Sequence, residues 1–151
     1  MNNATHTLLR DLVELLIDSE LGYAEATSRA TDERIQQLFK KFSASRGQAI
    51  IDISRELMRD GEEVPEGGTL KGTLHRAWMD IRNALTSTHN AAMLDECERG
   101  EHYLVGRYED AIKSEQVPPH IQEELAAQLA LVRCNVIEVE KLNRLFDKVD
   151  S

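Results

Sequence analysis

The chain has 151 residues, with 27 acidic side chains against 18 basic ones and a formal charge of −9 at pH 7. That length makes a single domain, 1–151, able to bury a hydrophobic core without disulfide or metal staples. The acidic balance weighs against a nucleic-acid or anionic-membrane binder, since both reward a basic surface, and no apolar run approaches the ~20 residues that span a bilayer. Cys97 and Cys134 are too few and too far apart for a disulfide framework or a zinc knuckle. No basic-then-apolar signal pattern is visible, so the expected compartment is the cytoplasm.

Leu, Ala, Glu and Arg dominate, which favours helix. A first helix is predicted over about 4–29, with Leu9, Leu12, Val13, Leu16, Glu20, Tyr23 and Thr27 along one stripe. Thr31 or Asp32 caps a second, which carries Ile35, Phe39, Phe42, Arg46, Ala49 and Ile53 and ends near Asp60-Gly61. Gly61, Pro65, Gly67, Gly68 and Gly72 mark a loop, followed by a short helix over about 73–86. A third long helix spans about 90–115, and Pro118-Pro119 separates it from a fourth over about 119–149. No strand-like alternation is present.

The links between helices one and two and between three and four are very short, so each pair is an antiparallel hairpin. About 30 residues join helix two to helix three, enough to travel the ~40 Å length of such a helix. The expected fold is therefore all-α: a ferritin-like four-helix bundle with one long crossover containing a short extra helix.

Some polar residues interrupt the apolar stripes. At 100° per residue Arg46, Glu101 and Gln128 fall near the centres of their helices' apolar faces, Glu20 falls inside a stripe, and Glu98 and Asn135 fall at stripe edges. If helices two and three run parallel, these form one polar layer across the bundle. A lone carboxylate there costs several kcal/mol or is neutralised. Ferritin-like metal sites meet this cost with inward carboxylates and Glu-x-x-His pairs. No acid stands three residues before any His; His102 comes four after Glu98 and is turned away from the stripe. Arg46 is thus expected to replace a metal's charge by forking onto Glu101, with Glu20 or Glu98 as second acceptor. The alternative is a metal site, with iron or manganese, at Glu20, Glu98 and Glu101.

Leu21-Gly22-Tyr23, Gly72-Thr73-Leu74-His75-Arg76-Ala77-Trp78-Met79-Asp80 and Glu96-Cys97-Glu98-Arg99-Gly100-Glu101 resemble a family of small proteobacterial proteins known only as a domain of unknown function. The resemblance runs over nearly the whole chain. It implies a ferritin-like bundle and a place in a stress-linked bacterial repertoire, and it brings no substrate or cofactor. Where members of that family tend to carry Asp after the residue matching Glu101, this chain has His102.

The crossover residues His75, Arg76, Trp78 and Asp80 form either a binding patch or the ties that pack the short helix onto the bundle. Cys97 and Cys134 are expected to be buried, inert thiols, and Asp11, Glu14, Asp18 and Glu25 a solvated carboxylate face. The expected function is that of a non-catalytic, stress-linked cytoplasmic protein. It would act as a homo-oligomer or through a protein partner, without cofactor, nucleic acid or membrane. The alternative is a ferritin-like metal-binding protein or oxidase.

Overall fold

Asn2 opens the first helix, α1 (Asn3–Arg29), by accepting the Thr5 amide proton, one of the donors a helix start leaves free. The structure, a computed structural model, describes residues 1–66, 79 and 89–147. After a short turn Asp32, rather than Thr31, caps α2 (Glu33–Arg59), accepting from the Arg34 and Ile35 amides. α2 ends in a Schellman turn: the Gly61 amide donates to the Met58 carbonyl and the Glu62 amide to the Leu57 carbonyl. Gly61 sits at φ +75°, where a Cβ costs about 1–2 kcal/mol. Gly61→Ala is therefore expected to lower unfolding free energy by that amount in urea titration; an unchanged midpoint would show that the turn does not hold the helix end.

The second hairpin pairs α3 (Asn90–Lys113) with α4 (Pro119–Asp147). Pro119 takes the first helical position, where its missing amide proton is not needed. All four helices fall within a turn of their predicted ranges. The short helix expected over about 73–86, with His75, Arg76, Trp78 and Asp80, lies outside the described residues.

Contacts along the helices give their directions. In the first hairpin His6 meets Asp60 and Ser19 meets Arg46; in the second Glu98 meets Asn143 and Tyr108 meets Gln128. Between hairpins, Tyr23 of α1 meets Glu101 of α3 while Thr5 meets Gln116, just past the end of α3. Arg34 of α2 stacks on Phe146 of α4, and Glu56 meets His120. Neighbours are thus antiparallel all round, and the diagonal partners α2 and α3 run parallel. The chain is an all-α four-helix bundle, with no strand among the described residues. Among those residues, no helix is long and apolar enough to cross a membrane.

The core runs the length of the bundle, from Leu9, Leu57 and Ile121 at one end to Phe39, Met93 and Val139 towards the other. α1 buries a wider arc than one stripe. Glu14 and Asp18, expected on a solvated face, are only 3% and 7% exposed. For Glu14, the start of the α2–α3 connection contributes: Glu63, Val64 and Pro65 share a cleft with Arg10, Asp11 and Glu14 on the side of α1 that a plain bundle would leave open. Burial accordingly raises the Asp11 pKa, against the lowering influence of Arg107 and Arg10.

Candidate functional site

Arg46 sits in the middle of the apolar face of α2, between Phe42 and Ala49, and is 1% exposed. Its Nη2 donates to Glu101 Oε1 on the diagonal helix α3, and its Nε donates to Ser19 Oγ of α1 at 3.1 Å. The guanidinium carbon lies 5.8 Å from the Tyr23 ring centre and 5.7 Å from that of Phe42, within cation–π range. Glu101 is equally buried, and its second oxygen accepts the Tyr23 hydroxyl at 2.6 Å. That hydroxyl also lies 3.3 Å from Cys97 Sγ. Tyr23 is held by Phe39 and Phe42, with ring centres at 5.4 and 5.3 Å. Every member of the network is thus positioned by packing as well as by hydrogen bonding.

The electrostatics follow from burial. Desolvation is the largest single influence and opposes the charge on Arg46, but Glu101, Tyr23 and Tyr108 together outweigh it and the guanidinium pKa rises. Burial first, then Cys97 and Glu101, pushes the Tyr23 phenol well above its ordinary range. Burial first, then Glu101, does the same to the Cys97 thiol, which keeps it from the reactive thiolate form. The centre therefore holds a salt bridge flanked by two neutral groups. Both Glu101 oxygens are engaged, one by Arg46 and the other by Tyr23.

Gln128 and Tyr108 stand beside this network. The Tyr108 hydroxyl donates to Gln128 Oε1 at 2.7 Å, and Gln128 Nε2 donates to Glu124 at 3.2 Å. A cavity of about 120 Å³ lies among Arg46, Tyr108, Gln128, Leu16 and Val132, with mostly apolar walls. Asn135 is 4% exposed, and its Nδ2 has no hydrogen-bond partner among the described residues.

Glu20 and Glu98 do not serve as the second acceptor of Arg46. The Glu20 carboxylate lies along the α1–α2 contact, with Oε2 3.0 Å from where a Cβ on Gly47 would stand. Glu98 lies on the α3–α4 seam with His102 and Glu140, and accepts from Asn143 Nδ2 at 2.9 Å. The physical reason is rotation: Glu98 precedes Glu101 by three residues, about 60° round the helix, which carries it from the bundle axis to the seam. Glu20, Glu98 and Glu101 are thus not brought together, and a metal shared by the three does not fit these positions. Cys97 is buried, but Cys134 is exposed, and both are free.

Ser19 and Tyr23 complete the network that Arg46 and Glu101 begin. Tyr23 lay on the predicted stripe of α1, and a hydroxyl at that height was the signal for a carboxylate partner. Ser19, flanking Glu20, carried no such signal. With this geometry in place, residues 4–114 match the family described as a domain of unknown function, DUF2383. No curated protein and no solved structure matches the chain.

Proposed function

The chain belongs to the DUF2383 family, and we propose that it is a non-catalytic helical-bundle protein that acts by associating with a second copy of itself. Its centre, on this reading, is a metal-free polar core that fixes how the two hairpins pack. The observation that carries the proposal is the use of Arg46 and Glu101: among the described residues, the buried charges at the bundle centre are spent on one another.

The seam between α2 and α4 supports association. Leu131 and Leu145 of α4 are 60% and 53% exposed, and Leu145 lines, with Leu38 and Leu142, a cleft of about 440 Å³. Arg34, Lys41 and Lys141 rim that cleft together with Glu138, which pairs with Lys41, while Arg34 pairs with Asp32; the rim keeps a small excess of cations on a chain of charge −9. An apolar floor with a basic rim complements the acidic surface that another copy offers. The ferritin-like character belongs to the same proposal, supported by the parallel α2–α3 diagonal and the single long connection. So does a reducing bacterial cytoplasm, supported by two free cysteines. The stress-linked role rests on the family resemblance carried by the sequence strings.

Analytical ultracentrifugation tests the proposal. The native chain is expected to self-associate in a concentration- and salt-dependent way, and Leu145→Glu, with unchanged circular dichroism, to sediment as a monomer. A native chain that stays monomeric at the highest attainable concentration would defeat it.

A further inference from the structure

On the α3–α4 seam, away from the central salt bridge, three potential metal ligands converge. Glu98 and His102 are four residues apart and share one face of α3. Glu140 of α4 faces them, and one ligand atom from each of the three lies within 4.8 Å of the others. His102 Nε2 stands 3.2 Å from Glu140 Oε1. Behind them, Asn143 follows Glu140 by three residues on α4 and is only 5% exposed. Its Nδ2 donates to Glu98 Oε2 at 2.9 Å and to Asp95 Oδ1 at 2.8 Å, which pins one Glu98 oxygen and leaves the other for a ligand. The Oδ1 of the same amide is buried and has no hydrogen-bond partner among the described residues.

We propose that Glu98, His102 and Glu140 bind one divalent first-row transition cation of the Zn²⁺ class, with Asn143 as the positioning residue. One imidazole and two carboxylates make a mixed nitrogen–oxygen set that favours such ions over Mg²⁺ and Ca²⁺, which take oxygen ligands. A ligating carboxylate held by a buried hydrogen-bond donor is the usual support for such a site. His102 is 56% exposed on its side chain, so the ion enters without any opening of the bundle. The site lies on the α3–α4 seam and not on the α2–α4 cleft, so it stands or falls separately from self-association.

Isothermal titration of the full chain with Zn²⁺, and separately with Mg²⁺, tests the assignment. One Zn²⁺ per chain is expected, with Mg²⁺ binding far more weakly. His102→Gln and Glu140→Gln each lower Zn²⁺ affinity at least ~10-fold, Asn143→Ala by about 10-fold, and Glu20→Gln leaves it unchanged. Zn²⁺ is also expected to raise the melting temperature of the native chain but not of His102→Gln. Equal binding of Mg²⁺, full affinity in His102→Gln, or no binding of Zn²⁺ at all would each overturn the proposal.

Discussion

Arg46→Met is expected to destabilise the protein by about 3–5 kcal/mol, because it leaves the Glu101 carboxylate in the core with one of its two charge-satisfying partners gone. The double variant Arg46→Met with Glu101→Gln is expected to recover most of that loss. The new amide keeps an oxygen for the Tyr23 hydroxyl, and no net charge remains to be desolvated. Urea unfolding of the two single variants and the double one completes a thermodynamic cycle. A coupling energy near zero, or an Arg46→Met variant as stable as the native chain, would show that the buried pair does not hold the centre together. The single variant alone would not suffice, since pairing and burial change at once.

The same geometry gives the pair a meaning beyond stability. A buried salt bridge is weak evidence of a net gain over an apolar core, but it discriminates between packings. Ser19 and Tyr23 come from α1, Arg46 from α2, Cys97 and Glu101 from α3. Sliding either hairpin by one turn, about 5.4 Å, would strand the guanidinium or the carboxylate in hydrocarbon. On the proposed reading the network sets the register between hairpins, while α4 joins the polar layer through Gln128, which accepts from Tyr108 of α3. The family match, residues 4–114, spans all five of these positions and stops at the end of α3.

The fold was legible because each helix writes its apolar stripe plainly and because two short links and one long one leave few topologies open. Arg46 and Glu101 were legible for a related reason: each sits at a stripe's centre, where a rotation of 20° or 30° still points inward. Glu20 and Glu98 were not, because Glu98 lies at a stripe's edge and Glu20, though inside its stripe, lies off the centre. There the choice between core, hairpin contact and seam depends on how far the helix is turned about its own axis, and neighbouring helices decide that. The buried Glu14 and Asp18 show the other limit. Acids on the outer face of a helix read as solvated unless something covers that face, and beside Glu14 the segment following α2 does so. Asn143 shows a third: its value lies in a bond across the seam to Glu98, which no periodicity along α4 encodes.

Alkaline unfolding should be steep. Tyr23, Tyr108 and Cys97 all have folded-state pKa values raised above their ordinary ones, in each case chiefly by burial. Such groups contribute stability that is whole below the unfolded pKa, about 9 for the thiol and about 10 for the phenols. Above those values the unfolded chain releases protons that the folded chain keeps, so stability falls as pH rises towards the folded pKa values. Each group adds a slope of up to about 1.4 kcal/mol per pH unit, and the three together act on the same narrow range. Arg46 does not offset this, since Glu101 holds its pKa up and it stays charged throughout. Urea midpoints measured from pH 8 to pH 10.5 are expected to be level at first and then to drop sharply. Tyr23→Phe should start about 1.5–3 kcal/mol lower, having lost a hydrogen bond to a carboxylate, and then decline less steeply. An equal slope in native and variant chains would mean that the Tyr23 phenol titrates freely in the folded state, and that the centre of the bundle is wetter than its packing requires.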